Sequence, residues 1–232
     1  MMVMYILLTH HNINLNVWHV ERWHGAVNCL TIDFDIIMGP SINLYNDLVS
    51  DDWTLSKIEK TYPNLPLVLP PDYFMYDYIT RFLIKLFKVL PKEKVFFVSH
   101  HRSAGTLLDG QTNVALTNID HHHDVGYENV RAITRLAAPH DGDWVKYLKD
   151  KNVLESYTWI GNSNSFYPKD ELEHYIDASM EVKQVDLFAS VSQVDMLIIC
   201  NSPEWIPEQY QTLWDIWTGI YEEWYGVEFD MI

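Results

Sequence analysis

Short apolar runs that alternate with longer amphipathic runs are the feature that most constrains the fold of this chain. Strands and helices that take turns along a sequence are typical of an α/β protein with a mostly parallel sheet. The clearest helix is predicted at residues 72–90, and a second amphipathic helix follows Pro207. With 232 residues and 48% hydrophobic composition, we expect a single domain, 1–232. The predicted strands lie at residues 3–9, 28–37, 94–99, 113–119, 156–161 and 195–200.

The chain is strongly acidic, with 32 Asp and Glu residues against 16 Lys and Arg residues and a formal net charge of −16. Such a surface repels the phosphates of nucleic acids and of anionic lipids, so neither nucleic acid nor a membrane is expected as a direct partner. Acidity of this kind usually serves solubility, but it also attracts cations. Both interpretations remain open: a solvated surface, or a surface that steers a cationic substrate.

The cysteines and the apolar segments favour a cytoplasmic protein. Cys29 and Cys200 each lie inside an apolar run, where a reduced thiol behaves as a small hydrophobic side chain. Residues 1–8 lack the basic and small-residue signals of a secretion leader and are predicted to form a buried strand. No stretch approaches the ~18 apolar residues that a membrane span requires.

The segment Asp120-His121-His122-His123-Asp124 directly follows a predicted strand. Open α/β sheets bind their ligands at the carboxyl ends of strands. In an extended segment alternate side chains share a face, so Asp120, His122 and Asp124 are expected to converge. Two carboxylates and an imidazole form a ligand mix suited to Mn²⁺, Fe²⁺ or Zn²⁺. The alternative is a polar turn whose histidines are coincidental.

Two further segments carry candidate metal ligands near strand ends. Asp33 and Asp35 lie inside a hydrophobic run, and burying two like charges is costly unless a cation or hydrogen-bond donors compensate. His100 and His101 follow another predicted strand, and because adjacent side chains point in different directions, at most one is expected to bind a metal directly. Four aspartates and two histidines are the inventory of a two-metal site.

These residues resemble the ureohydrolase and deacetylase superfamily, in which arginases carry a strand-end histidine, a D-x-H-x-D motif and a D-x-D pair. His101-x-x-Ala104 is similar to the family's first histidine and its alanine, and Asp120-x-His122-x-Asp124 matches the main ligand motif. The peptide arginases and their uncharacterised relatives are closer still, because they combine a tryptophan-containing strand with a late Ser-Pro segment. Similar elements here are Tyr157-Thr158-Trp159-Ile160 and Cys200-Asn201-Ser202-Pro203-Glu204-Trp205.

The resemblance implies an arginase-like three-layer sandwich with a mostly parallel central sheet and a binuclear metal site. It implies two divalent ions, Mn²⁺ ahead of Fe²⁺ or Zn²⁺, whose bridging hydroxide attacks a trigonal carbon. Asp124 would also orient the attacking water. Glu204 would pair with a substrate cation or, equally, serve as a helix-entry acid, and His123 and His140 are candidate proton shuttles. The metal ligands that the resemblance implies are Asp33, Asp35, His101, Asp120, His122 and Asp124.

The chain order departs from the family pattern. In the family the D-x-D pair lies between the D-x-H-x-D motif and the C-terminal strand, whereas Asp33 and Asp35 precede both. A circularly permuted strand order restores the site, because ligand geometry depends on the position of a strand in the sheet. Without permutation, Asp186 or Asp195 would have to substitute. We prefer permutation because the pair has the apolar lead-in of a central strand.

The function that follows from the resemblance is hydrolysis of a guanidino group, in a cationic small molecule or in an arginine-containing peptide, to give ornithine and urea. The acidic composition agrees with a cationic substrate. A deacylase of an acylated amine, with the same site behind an aromatic-lined channel, is one alternative. The other is a non-catalytic binding protein with an incomplete metal site, to which the N-terminal histidines would contribute an unfamiliar pocket: His10, His11, His19 and His24.

Overall fold

The structure is a computed structural model that describes part of the chain: residues 26–37, 71–125, 139, 142–161, 180–184, 193–203, 206 and 208–232, with the backbone alone at 180–184 and 208. Several sequence predictions lie outside these residues. They are the strand at residues 3–9, the N-terminal histidines, His140, Asp186 and Glu204.

A six-stranded sheet forms the centre of the described fold, in the order β2-β6-β1-β3-β4-β5. Every pair of neighbouring strands is parallel, so all carboxyl ends lie at the same edge. The predicted α/β class with a mostly parallel sheet is therefore confirmed. The strands are β1 (Val27–Asp33), β2 (Val95–Val98), β3 (Val114–Ile119), β4 (Leu154–Gly161), β5 (Met180–Gln184) and β6 (Met196–Cys200).

Helices cover both faces of this sheet. Two of them, α1 (Tyr73–Phe87) and α4 (Gln211–Tyr225), pack on one face, and the shorter α2 (His101–Leu108) and α3 (Trp144–Asp150) pack on the other. Within the described ranges, no helix is long and apolar enough to cross a membrane. Short 3₁₀ turns occur at Phe34–Ile37, Lys92–Lys94 and Glu208–Tyr210.

The central strands are apolar because both of their faces are buried, as is usual in parallel sheets. All five residues of β6 are buried, and β1 is buried at every position except Asn28. Leu30 and Ile32 contribute to the core beneath α1 and α4, whereas Cys29 belongs to the core beneath α2 and α3. Alternate residues of one strand thus supply two separate cores, one on each side of the sheet.

A capping aspartate explains where α1 begins, and a glycine explains how closely α2 approaches its neighbours. Asp72 caps α1, its Oδ1 accepting hydrogen bonds from the backbone N–H groups of Phe74 and Met75 at 3.0 Å each. Gly105 lets α2 come close to its neighbours, because a Cβ there would lie 2.9 Å from Pro139 Cβ and 3.2 Å from Trp144 Cβ. This close approach sets Trp144 beside the first turn of α2.

The predicted elements differ from the structure at the end of one strand, at one further strand and at two short helices. The strand predicted at 28–37 ends at Asp33, and the chain continues as the 3₁₀ turn Phe34–Ile37. Strand β5 was not predicted, although its short sequence MEVKQ alternates apolar and polar residues as a half-buried strand does. The helices α2 and α3 were also missed, because each spans only two turns, too few for a periodic pattern.

The sheet register brings four strand ends to one point. Asp33 is paired with Cys200, Cys200 is paired with Val98, and Ile32 is paired with Ile119. Because β1 lies between β6 and β3, its D-x-D pair neighbours the D-x-H-x-D motif in space. Asp195 lies at the opposite edge, where its Oδ2 accepts 2.9 Å hydrogen bonds from the N–H and Nδ2 of Asn28. The alternative in which Asp195 replaces a member of the pair is therefore wrong.

Candidate metal centre

The two aspartate motifs leave their strands through the same local turn. Asp120 Oδ1 accepts a 2.8 Å hydrogen bond from the N–H of His122, and Asp33 Oδ1 accepts a 3.1 Å bond from the N–H of Asp35. An aspartate that binds the backbone two residues further on is a common way to turn the chain. Strand β3 has already ended when Asp120 is reached, so the predicted strand alternation is wrong as the cause of convergence. The turn directs these side chains instead.

Four side chains form the first half of the centre, which we call the His101 subsite. His101 Nδ1 lies 2.8 Å from Asp124 Oδ2, 3.2 Å from Asp33 Oδ2 and 3.3 Å from Asp120 Oδ2. Each of the four is at most 5% exposed. Ligand atoms that share one metal ion at bond lengths of 2.0–2.3 Å are themselves roughly 3 to 4 Å apart. His101, Asp120 and Asp124 therefore have the spacing that a single divalent ion requires, and Asp33 adjoins them through His101.

A second group, the His122 subsite, lies on the other side of Asp120. His122 Nδ1 is 2.9 Å from Asp35 Oδ2 and 3.7 Å from Asp120 Oδ1. Asp120 thus presents Oδ2 to one imidazole and Oδ1 to the other. The His122 side chain is 14% exposed, more than any other member of the two subsites. All six residues that the sequence predicted as metal ligands are consequently brought together.

Burial and neighbouring charges disfavour ionisation of two of the buried carboxylates. Burial and then the charge of Asp35 raise the pKa of Asp33 to about 7. Burial, followed by Asp124 and Asp35, raises the pKa of Asp120 well above its usual value. Like charges held this close disfavour simultaneous ionisation unless a cation compensates them. The negative charge at Asp33 and Asp120 is therefore only partly balanced by the protein.

The positive charge of the protonated imidazoles compensates the negative charge of the remaining carboxylates. Burial alone would lower the pKa of His101, but Cys200 and the carboxylates together raise it well above its usual value. The pKa of His122 is also raised, because Asp35 outweighs the effect of burial. Burial opposes ionisation of Asp35, yet His122, assisted by His121 and His101, lowers its pKa to about 2. A divalent cation would replace these protons as the compensating charge.

Asp124 is fixed by the start of α3. Its Oδ2 accepts a 2.6 Å hydrogen bond from the indole Nε1–H of Trp144, and its carbonyl accepts a 3.2 Å bond from the N–H of Val145. The residue adopts a left-handed backbone with φ of 51°, which aspartate tolerates better than most residues. The Trp144 ring also lies against His101, with ring centroids 5.3 Å apart. Trp144 therefore positions two members of the His101 subsite.

The tryptophan-containing strand holds the backbone of the same loop. On β4, Trp159 Nε1–H donates to the carbonyl of Asp120 at 2.9 Å, and the Tyr157 hydroxyl donates to the carbonyl of His123 at 2.6 Å. Both side chains are buried. Two polar aromatic groups on one strand thus satisfy two loop carbonyls that would otherwise be buried without donors.

Further buried hydrogen bonds orient the aspartates. Ser202 Oγ donates to Asp33 Oδ2 at 2.6 Å. Thr31 Oγ1 donates to Asn118 Oδ1 at 2.6 Å, and Asn118 Nδ2 donates to Asp120 Oδ2 at 3.1 Å. Positioning partners of this kind are typical of metal sites.

The remaining predicted residues have different positions. His100 precedes α2 and is half-buried, whereas His101 enters the centre, so the choice between them falls on His101. His123 is 1% exposed, and its Nδ1 accepts a 3.1 Å hydrogen bond from the N–H of Val125. Burial lowers the pKa of His123 to about 4. His123 was predicted as a proton shuttle, and transfer through its Nδ1 would require this hydrogen bond to break.

Sequence reasoning missed several contributors. Trp144 lies 20 residues beyond Asp124 with no motif between them, and Cys200 was interpreted only as a small hydrophobic residue. Its position opposite Asp33 follows from the strand register, which the sequence does not reveal. The Ser-Pro segment was noted as an element but not as the source of the Ser202 hydrogen bond.

Comparison with known proteins identifies no relative: no protein-family model matches the chain, and neither a curated protein nor a solved structure matches it.

Proposed function

We propose that this chain is a metal-dependent C–N hydrolase of the arginase-like type, with one divalent ion at each subsite. The observation that carries the proposal is the double role of Asp120, whose two oxygens face the imidazoles of His101 and His122. A carboxylate placed between two groups of ligands is the arrangement by which two-metal hydrolases join their ions.

The donor atoms fit hard or borderline divalent ions. The six side chains offer carboxylate oxygens and imidazole nitrogens, a mixture that suits Mn²⁺, Fe²⁺ and Zn²⁺. Their burial, together with the raised pKa values of Asp33 and Asp120, leaves negative charge that two cations would compensate. A cluster of solvated surface acids has neither property.

The position of β1 supports the arginase-like assignment in a permuted form. The D-x-D pair of the family lies between the D-x-H-x-D motif and the C-terminal strand along the chain. In this protein β1 lies between β3 and β6 in the sheet, although it comes first in sequence. Metal geometry depends on this spatial order, so the permuted chain can assemble the family's ligand set.

The residues themselves would divide the work of hydrolysis. Bound divalent ions lower the pKa of water to near neutrality and so supply the nucleophile. Asp124, held by Trp144 and by its own left-handed backbone, would orient that water. The His122 side is the more exposed, so the substrate would enter there, and the excess of carboxylates would attract a guanidinium cation. Glu204, outside the described residues, remains the predicted partner of that cation.

Metal content and urea release together test the proposal. We expect about two ions per chain in the wild type and urea production from arginine or from arginine-containing peptides. Asp33→Ala should lose metal and activity. Asp195→Ala is the matched control, because Asp195 is also an aspartate beside a central strand but directly precedes β6, at the amino ends of the strands and away from the centre. Equal metal content in all three proteins would contradict the proposal.

The substrate arms of the same assay separate the alternatives. Release of acetate from acetylated lysine without release of urea would identify a deacylase that uses the same centre. Two bound ions with neither product, over a range of guanidino and acyl substrates, would favour a binding protein. Urea release that depends on added metal would support guanidino hydrolysis.

A further inference from the structure

A thiol forms part of the wall of the His101 subsite. Cys200, the last residue of β6, is paired with Asp33 on one side and with Val98 on the other, and it is fully buried. Its Sγ, an oxygen of Asp33 and a ring nitrogen of His101 all lie within 4.8 Å of one another. The thiol is thus close to two residues that the proposed function already assigns to one ion.

The hydrogen bonds around Cys200 leave its sulfur next to Asp33 and His101. Ser202 Oγ lies 3.3 Å from Cys200 Sγ and 2.6 Å from Asp33 Oδ2. Because the single hydroxyl proton of Ser202 is donated to Asp33, Ser202 Oγ can only accept from the thiol. His101, which belongs to the same group, also carries a buried ring nitrogen, Nε2, with no hydrogen-bond partner among the described residues. Such an atom costs free energy unless a polar group reaches it, and none of the described residues does so.

We propose that Cys200 is a further ligand of the ion at the His101 subsite and makes this subsite prefer Zn²⁺ or Fe²⁺ over Mn²⁺. The inference rests on the proposed function, because it requires that a divalent ion binds there. Thiolate is a soft donor that favours zinc and iron, whereas carboxylates suit manganese. When the ion binds, the S–H bond breaks, its proton leaves to solvent, and the sulfur lone pair forms the bond to the metal without any change of oxidation state.

The two subsites should therefore differ in metal preference. Among the described residues, the His122 subsite consists of carboxylates and an imidazole: Asp35, Asp120 and His122. A protein exposed to zinc and manganese together should take zinc at the His101 subsite first and remain less selective at the His122 subsite.

Cobalt provides a direct spectroscopic test. Co²⁺ bound to a thiolate has a strong sulfur-to-metal charge-transfer absorption in the near ultraviolet, which oxygen and nitrogen ligands do not produce. The metal-free full chain is titrated with Co²⁺ as wild type, Cys200→Ser and Cys29→Ser. Cys29 is the matched control, because it is a buried cysteine of the same sheet located four residues before Asp33 on β1. We expect the band in the wild type and in Cys29→Ser, and its loss in Cys200→Ser.

The outcomes distinguish this inference from the proposed function. If wild type binds no Co²⁺, both the inference and the metal centre fail. If wild type binds Co²⁺, as seen from its visible absorption, but shows no charge-transfer band, Cys200 is not a ligand while the metal centre stands. The spectrum of the wild type alone decides between these outcomes, so the test does not depend on whether Cys200→Ser folds.

Competition between ions gives the second readout. Cys200→Ser should lower the Zn²⁺ affinity of the His101 subsite about tenfold or more, since even the loss of residues that only orient ligands costs 10 to 100-fold. The Mn²⁺ affinity should change much less. An equal loss for both ions would show that Cys200 merely supports the structure and would overturn the stated preference.

Discussion

The two subsites share Asp120 but differ in how firmly the protein holds them. The carboxylates of the His101 subsite accept hydrogen bonds from Trp144 and Ser202, and its members are at most 5% exposed. In the His122 subsite, the His122 side chain is 14% exposed and follows a turn rather than a regular element. The His101 subsite is thus built into the core, and the His122 subsite lies at its boundary.

This difference predicts that the two subsites differ in metal affinity and in access to substrate. Ligands whose positions are fixed before binding lose little freedom when an ion arrives, so the His101 subsite is expected to bind the tighter ion. The ion at the more exposed His122 subsite would be the one that substrate approaches. The following variants test this asymmetry in order of decreasing effect.

The largest effect is expected from Asp120→Ala, because it removes the carboxylate that both subsites share. The affinities of both ions should fall by more than about 100-fold, beyond the range seen when only a positioning residue is lost. Isothermal titration with Mn²⁺ and Zn²⁺ measures this. Asp195→Ala serves as the control, and retention of either ion at wild-type affinity in Asp120→Ala would show that the subsites are independent.

The two histidine variants should each remove one ion. His101→Ala is expected to lose the tighter ion and His122→Ala the weaker one, since the carboxylate nearest to each Nδ1 differs, Asp124 for His101 and Asp35 for His122. Metal content after extensive dialysis should fall from about two ions to about one in each case. The decisive measurement is the affinity of the remaining ion, compared between the two variants. If both variants retained the same affinity for the remaining ion, the proposed asymmetry would be wrong.

A smaller effect is expected from Trp144→Phe, which keeps the ring but removes the N–H that binds Asp124 Oδ2. The affinity of the His101 subsite should fall about tenfold, while that of the His122 subsite should stay unchanged. Trp217→Phe is a matched control, because Trp217 is also fully buried and donates its indole N–H, in this case to Thr80 on the opposite face of the sheet. A similar loss in both variants would indicate general destabilisation.

The sequence predicted the residues of the centre better than their geometry. The acidic pairs and the histidines could be recognised because their residue types and strand-end positions are local features of the chain. All six predicted residues lie together, because β1 is a neighbour of β3 in the sheet although it comes first in sequence. What local patterns could not supply was the cause of convergence, since the turn at Asp120 depends on a side-chain hydrogen bond.

The side chains that contact the predicted ligands could not be predicted, for a different reason. Trp144 reaches Asp124 because α3 packs on α2, and Cys200 lies opposite Asp33 because of the strand register. Both facts are consequences of tertiary assembly, which a single sequence does not encode in its spacing. The short helices were missed because helical periodicity needs more residues than these elements contain.

The last prediction concerns the stability of the metal-free protein as pH changes. Asp33 has a pKa of about 7 in the folded state, above its unfolded value, so the folded state binds more protons than the unfolded state between about pH 4 and pH 7. Its contribution to stability is therefore lost as pH rises through this window. The raised pKa values of His101 and His122 act in the same direction above about pH 6.5.

Urea denaturation of the metal-free protein should consequently give a lower free energy of unfolding at pH 8 than at pH 5.5. The opposite contributions from the lowered pKa values of Asp35 and Asp124 are lost only below about pH 4 and do not affect this range. The lowered pKa of His123 makes stability rise with pH up to about pH 6.5, and this single contribution is expected to be outweighed by Asp33, His101 and His122 together. Asp33→Asn should flatten the slope, because the amide does not titrate. Bound metal should reverse the trend, since ions displace protons from the same atoms and bind more tightly as pH rises. A stability that rose with pH without metal would mean that the buried carboxylates are already compensated by the protein, and the electrostatic argument for two cations would fail.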